Sequence, residues 1–336
     1  MTSPRANVRA SVVIPTWNRR ELLADVLNSL MAQTVPPGWF EVIVVDDCST
    51  DGTEQLVREF MQEAPFHMVY QKMPRNVGAV PARNVAVRLT NAPVLAFTDS
   101  DCRVVPGWLQ AGLDAFEKHP GIAFVTGPVL NKPGQAVRFF SIGGAGAGGE
   151  DPIYPTCNVL YRAKVFFSVG GFDERAYLRN SGGVPVECAD ADLAWRAKEA
   201  GHQNLFVPEM IVFHEVRQGT VWAWLAVQLR FMMLPELLRR HAGLRSKLMW
   251  WGPFCLQDNF LFYVAVIGGV LAATLSPWWL LGVLPFLGKM LRIVKAGVSL
   301  VNFPKFFAQV ALLSVRQAFI CGSLVYGSIR SRWLAL

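Results

Sequence analysis

Across the first hundred residues, short β-branched runs stop at polar or acidic residues and give way to helical patterns. Residues 11–14 read as a buried strand ending at Pro15, Thr16, Trp17 and Asn18. Residues 20–32 then place Leu22, Leu23, Val26, Leu27 and Leu30 on one helical face. Residues 42–45 run into Asp46, Asp47, Cys48, Ser49, Thr50, Asp51 and Gly52, with a helix predicted from Thr53 that Ser49, Thr50 or Asp51 can cap. A short strand at 68–70, a helix at 81–89 and a strand at 94–97 that stops at Asp99 complete the series. This alternation predicts an α/β fold, a mostly parallel sheet flanked by helices. Ligands of such sheets bind beyond the carboxyl ends of the strands, so the polar ends at 15–18, 46–51 and 99–101 are expected to converge on one rim. No GxGxxG follows the first strand and there is no P-loop, which argues against a nicotinamide or flavin dinucleotide.

Beyond residue 120 the pattern is irregular. Residues 141–151, SIGGAGAGGED, read either as a linker or as a mobile flap over a ligand. Residues 191–200 form a short helix that Gly201 can close. The charge is then redistributed. Up to residue 215 there are 19 Lys/Arg against 23 Asp/Glu, and beyond it 13 against 2. A basic, apolar tail behind an acidic globular part argues against a nucleic-acid binder and suits contact with anionic lipid. Seven of the 11 tryptophans lie in this tail, as in an interfacial belt.

Residues 217–258 read as amphipathic interfacial helices, with Trp222, Trp224, Leu225, Leu229 and Met232 beside Arg230. Residues 259–288 are 30 residues without a charge, long for one upright span and short for two, with Ser276–Pro277 as a natural turn. Basic residues flank this stretch on both sides (Arg239, Arg240, Arg245 and Lys247; Lys289, Arg292 and Lys295). That symmetry favours a helical hairpin with both ends on the cytoplasmic side. Residues 306–328 form a third apolar helix, spanning or interfacial, so 259–336 is expected to be membrane-associated; the alternative is a soluble tail with a buried helix pair. The six cysteines are scattered without a CxxC, and the first ten residues lack the apolar core of a signal peptide. Reduced thiols and a cytoplasmic catalytic domain on an inner membrane follow as expectations.

Asp99 and Asp101 carry the chemistry. Two carboxylates one residue apart at a buried strand end are costly as paired anions, and a hard divalent cation removes that cost. Alone, an Asp-x-Asp is also simply an acidic turn.

In this setting the chain resembles the family 2 glycosyltransferases, which have the GT-A fold. The resemblance lies in seven ordered blocks over residues 10–215. They are Val13 to Arg19, Val44 to Thr53, Asn76-Val77-Gly78 with Ala82-Arg83-Asn84, and Phe97 to Asp101. Asn158 with Tyr161-Arg162, Gly170 to Glu174, and Asp190-Ala191-Asp192-Leu193 with Arg196 complete the set. The resemblance implies a GT-A-like catalytic domain over 8–216 that binds a nucleotide sugar. Pro15, Thr16 and Asn18 would border the nucleotide, and Asp47 or Asp46 would read the base. Arg75, otherwise plain surface, and Arg83 would reach phosphate. Asp99 would face the ribose or the metal, Asp101 would bind Mg²⁺ or Mn²⁺, and His214 would be a ligand or a structural residue. Asn158 and Asp192 fall on the acceptor side, Asp192 being also a support for Arg196.

One block departs from the family pattern. Ala189-Asp190 stands where a Glu-Asp pair is usual, leaving Asp190 as the expected base and Glu187 as its alternative. The implied reaction is inverting, metal-dependent sugar transfer from a nucleotide sugar, UDP favoured, to a glycan or lipid-linked acceptor in cell-surface polysaccharide or glycolipid synthesis. Two other readings stay open. A polyprenyl-phosphate sugar synthase needs no strong base, and a non-catalytic membrane scaffold or sugar-nucleotide sensor would have lost it.

Overall fold

The structure, a computed structural model, describes residues 7–143, 149–174, 177–179, 185–297 and 303–336. The chain divides into two compact units. The first holds Met1–Val137, Ser141–Tyr177 and Cys188–Gln218; the second holds Arg138–Phe140, Leu178–Glu187 and Gly219–Leu336.

The first unit alternates as its sequence predicts: β1 (Ala10–Thr16), α1 (Arg20–Met31), β2 (Phe40–Asp46), α2 (Thr53–Glu63), β3 (His67–Lys72), α3 (Ala79–Val87) and β4 (Val94–Phe97). Then come β5 (Cys102–Val104), α4 (Trp108–Lys118), β6 (Ile122–Thr126), β7 (Val129–Asn131), β8 (Ser141–Gly143), β9 (Val159–Arg162) and α5 (Ala163–Ser168). After the short strands β10 (Tyr177–Arg179) and β11 (Pro185–Glu187), the chain forms α6 (Ala189–Glu199), β12 (Gln203–Phe206), β13 (Val212–His214) and β14 (Val216–Gln218). The glycine-rich stretch is part strand, since Ser141–Gly143 pairs antiparallel with Val216–Gln218; residues 144–148 lie outside the described residues.

Seven strands form the main sheet in the order β12-β6-β9-β4-β1-β2-β3, with β9 alone antiparallel to its neighbours. β1 runs longer than its β-branched core. β4 pairs with β1 only as far as Val13, whereas β2 stays in register to Thr16↔Asp46. Pro15 thus lies beyond the ladder on the β4 side, where a missing N–H costs no bond. Val12 and Ile14 pack with Leu23, Val26, Leu27 and Leu30 of α1 in one core, each fully buried side chain contributing roughly 1.5–3 kcal/mol. Helix α3 starts two residues earlier than expected, because Pro81 is tolerated in a first turn that has no partner for its N–H. The chain leaves β1 for β2 and β3 on one side, then returns to β4 on the other. That reversal opens a crevice at the carboxyl ends of β1 and β4.

In the second unit α7 (Val221–Ala226), a 3₁₀ stretch and α8 (Leu234–Arg240) make one helical run from Val221 to Arg240. They are followed by α9 (Ala242–Leu248), β15 (Met249–Trp251), β16 (Phe254–Cys255), α10 (Gln257–Thr274), α11 (Leu284–Gly297) and α12 (Phe303–Ser331). Three helices among the described residues are long and apolar enough to cross a membrane: Val221–Arg240, Gln257–Thr274 and Phe307–Ser331. The charge-free stretch breaks at Ser276–Pro277 and folds back through the 3₁₀ segment Pro277–Val283. A Cβ on Gly268 would stand 2.8 Å from the Trp279 carbonyl oxygen, so the two arms of this turn need glycine there to approach. Trp278, Trp222 and Leu275 remain exposed on this unit, as lipid-facing side chains do.

Candidate active site

The turns after β1 and β2 are tied to each other. Asn18, in the left-handed region at φ 48°, donates its backbone N–H to Ser49 Oγ at 2.8 Å and accepts Thr50 N–H on Oδ1 at 2.8 Å. The Asp51 carboxylate accepts Arg20 N–H at 2.9 Å on one oxygen and the Thr53 hydroxyl at 2.6 Å on the other. Gly52 is the N-cap of α2, and Asp51 accepts Thr53 N–H just inside it. Pro15 and Thr16 are buried in this rim, whereas Asn18 is exposed.

Asp46 and Asp47 serve the same scaffold. Asp46 accepts the Tyr70 hydroxyl at 2.6 Å and Ser49 N–H at 2.8 Å. Burial, and then the bond and charge of Asp46, push the Tyr70 phenol well above its ordinary range, so it stays a donor. Asp47 accepts Val77 N–H at 2.7 Å and Gly78 N–H at 2.6 Å, fixing the turn that opens α3. Arg75 is exposed in that turn.

At the end of β4 the partners are charged. Arg83 Nη2 donates to Asp99 Oδ1 at 2.5 Å, and Arg19 Nη1 to Asp101 Oδ2 at 2.7 Å. Enclosure by itself would raise the Asp99 carboxyl. The Arg83 charge and hydrogen bond, helped by His214 and Arg19, instead hold it below the ordinary carboxylate range. Arg19 was not among the residues singled out from sequence, although it directly follows Asn18 at the end of β1.

His214 reaches this cluster through a second, three-stranded sheet, β5-β13-β7. β13 pairs antiparallel with β5, setting His214 opposite Cys102. His214 Nδ1 lies 2.8 Å from the Glu215 carbonyl oxygen, which can only accept, so Nδ1 carries the proton. The bare Nε2 faces Asp101 Oδ1 at 3.5 Å. Asp101 is buried, and its Oδ1 has no hydrogen-bond partner. An orphan carboxylate oxygen beside an imidazole held in the ligating tautomer fits a divalent cation. Asp101, Cys102 and His214 place their ligand atoms within 4.8 Å of one another.

The remaining residues are placed as follows. Asp190 lies in the first turn of α6 and accepts Ala191 N–H on Oδ1 at 2.9 Å. Glu187 ends β11, and its side chain lies outside the described residues. Asp192 is buried and accepts Arg196 Nε at 2.7 Å, while Arg196 Nη2 bonds the Gly171 carbonyl at 2.6 Å. Asn158 is buried as a brace: it accepts Trp108 Nε1 at 2.8 Å and donates to the carbonyls of Pro128 at 2.9 Å and Met210 at 2.6 Å. Asn158 and Asp192 therefore sit behind the rim in support of it.

With this geometry in view, residues 11–168 match the model of glycosyl transferase family 2. Glycosyltransferase AglE of Haloferax volcanii is 29% identical over 224 residues, 62% of this chain and 67% of AglE. The poly(ribitol-phosphate) β-N-acetylglucosaminyltransferase TarS of Staphylococcus aureus is 38% identical over 94 residues, 28% of this chain and 16% of TarS. This chain thus spans two thirds of one relative and a small part of the other. Among solved structures, a mannosyltransferase from Pyrobaculum calidifontis in complex with GDP-mannose and Mn²⁺ superposes with a TM-score of 0.57 at 18% identity, covering 98% of this chain and 88% of that one. Residues 1–349 of TarS with UDP-GlcNAc give 0.51 at 19% identity, covering 97% and 93%. At such identities the likeness is one of fold.

Proposed function

We propose that this chain, a member of glycosyl transferase family 2 with the GT-A fold, moves a sugar from a nucleotide-sugar donor, UDP-linked in the favoured reading, to a glycan or lipid-linked acceptor of the cell surface. The observation that carries the proposal is the meeting of Asp99, Asp101, Arg19, Arg83 and His214 at the reversal between β1 and β4. Such a rim accepts a diphosphate together with its counter-ion. The nucleotide sugars bound to TarS and to the mannosyltransferase, and the poly(ribitol-phosphate) in the name of TarS, support the donor and acceptor classes.

In this reading Pro15, Thr16 and Asn18 border the nucleotide, and Asp46 and Asp47 shape the pocket for its base. Arg83 and Arg75 meet phosphate, and Asp99 faces the ribose. Mg²⁺ or Mn²⁺ at Asp101 and His214 would neutralise the charge that develops on the departing diphosphate. Asp190 takes the proton of the acceptor hydroxyl, with Glu187 as the alternative base, and attack from the face opposite the leaving group inverts the anomeric centre. Asn158 and Asp192 position the acceptor side from behind. The apolar helices of the second unit would seat the enzyme on an inner membrane with its catalytic unit in the cytoplasm. Ala189, in place of the usual Glu, together with those helices, favours a second reading in which the acceptor is a polyprenyl phosphate that needs no strong base.

The test is calorimetric binding of UDP, GDP and dTDP to the detergent-solubilised chain, with Mn²⁺ and then with EDTA, followed by transfer assays. Metal-dependent binding of one nucleotide, lost in Asp101→Ala, is the expected result. Absence of binding by all three would refute the transferase reading. Binding without turnover on any acceptor returns the chain to a sensor or scaffold.

A further inference from the structure

The cation centre at Asp101 holds a side chain that the proposed chemistry does not use. Cys102 is fully buried at the start of β5, directly opposite His214 in the β5-β13 ladder. Directly paired residues of an antiparallel ladder bring their side chains to within about 5 Å on one face. Here the Cys102 thiol, an Asp101 oxygen and a His214 nitrogen all lie within 4.8 Å of one another. The donors stand at the ends of hydrogen-bonded strands, and Glu215 N–H closes the frame on the Asp101 carbonyl at 2.9 Å. Two features within the frame point to a ligand. Asp101 Oδ1 is buried without a hydrogen bond, and His214 keeps its proton on the nitrogen turned away from the cluster. The Cys157 thiol is in hydrogen-bonding contact with Cys102, so a thiolate there would keep a donor.

We infer that Cys102 is a third protein ligand at this centre, which therefore takes a borderline-soft divalent ion, Zn²⁺ or Co²⁺, far more tightly than Mg²⁺. The inference rests on the proposed cation-dependent transferase and specifies its metal. Oxygen donors alone suit Mg²⁺, whereas a thiolate with an imidazole shifts preference toward Co²⁺ and Zn²⁺. Three protein ligands with one position left open is the arrangement of catalytic zinc sites, and the open position would receive a donor oxygen. Ligation exchanges the S–H bond of Cys102 for a sulfur–metal bond and releases one proton to solvent. The sulfur keeps its electron pair, and nothing is oxidised.

The experiment uses the whole chain in detergent and the metals alone. Co²⁺ titration is expected to raise a thiolate-to-cobalt charge-transfer band in the near ultraviolet. The band should vanish in Cys102→Ser, whose Co²⁺ affinity falls at least about tenfold while its Mg²⁺ affinity holds. Because a buried serine can disturb folding, X-ray absorption fine structure of the unmutated Zn²⁺-loaded chain gives a second reading. A sulfur shell at about 2.3 Å supports the inference, and a shell of nitrogen and oxygen only overturns it. Co²⁺ binding without a thiolate band likewise overturns it and leaves the transferase standing. Loss of all divalent-ion binding would overturn both.

Discussion

Two strand ends on the same rim carry paired carboxylates and are built in opposite ways. At the end of β2, Asp46 and Asp47 are satisfied by uncharged donors: the Tyr70 hydroxyl and the backbone N–H groups of Ser49, Val77 and Gly78. At the end of β4, Asp99 and Asp101 face guanidinium groups, and one oxygen of Asp101 has no hydrogen bond. A carboxylate bonded to backbone N–H cannot change partners without opening the loop it holds. A carboxylate paired to a long arginine side chain can. The β2 end is therefore architecture, and the β4 end is where charge is exchanged when donor and cation arrive. Acidic residues at a strand end do not by themselves distinguish these roles; the chemistry of their partners does.

The sharpest way to break this comparison is to neutralise one carboxylate at each end. Asp101→Asn keeps the size and removes the charge. Sugar transfer is expected to drop by about 10²–10³-fold, the range for losing one preorganised electrostatic contact. Its unfolding midpoint should barely move, because Arg19 is partly exposed and can return to solvent. Asp47→Ala is expected to behave the other way. It strands the N–H groups of Val77 and Gly78, costing about 1–3 kcal/mol of stability. The metal response of nucleotide binding should survive in that variant below its lowered unfolding midpoint. Equal stability of Asp47→Ala and the unmutated chain would end the distinction.

The division between architecture and exchange was only partly legible in the sequence. The strands of the main sheet were, because runs such as residues 42–45 can be buried on both faces in few other ways, and their acidic ends marked the rim. Asp99 and Asp101 were legible for the same reason. The arginines paired with them were not, since Arg19 and Arg83 reach them across the crevice and no local periodicity records that. His214 matched a family position, but its meeting with Asp101 depends on antiparallel pairing between β5 and β13, more than a hundred residues apart in the chain. Cys102 was legible only as a small apolar residue. Asn158 stood out as a motif residue, and only the fold reveals that its amide is spent on Trp108, Pro128 and Met210.

A smaller effect sharpens the β2 side. Tyr70→Phe removes one donor from the buried Asp46 carboxylate and is expected to cost about 1–2 kcal/mol with little change in transfer. The cost should carry a pH signature. The folded phenol titrates above its unfolded value of about 10, so its contribution is whole below that pH and is lost as pH rises beyond it. The stability gap between Tyr70→Phe and the unmutated chain should therefore be flat through neutral pH and narrow in alkali. A gap that widened in alkali would mean that the phenol ionises more readily in the folded protein.

The smallest effect probes exchange itself. If Arg19 holds Asp101 only until a cation arrives, that cation must displace it, and Arg19→Ala should bind divalent ions more tightly. The Arg19 side chain is 31% exposed, so the pair is screened and is worth on the order of 0.2–1 kcal/mol, at most about a fivefold gain in cation affinity. The displaced guanidinium is then available to the donor diphosphate. The same variant should accordingly bind nucleotide more weakly when metal is saturating. Tighter metal binding with weaker nucleotide binding is the signature of a partner that changes hands at the β4 end. Unchanged affinity for both would mean that Arg19, like the backbone donors around Asp47, serves only to hold the rim in shape.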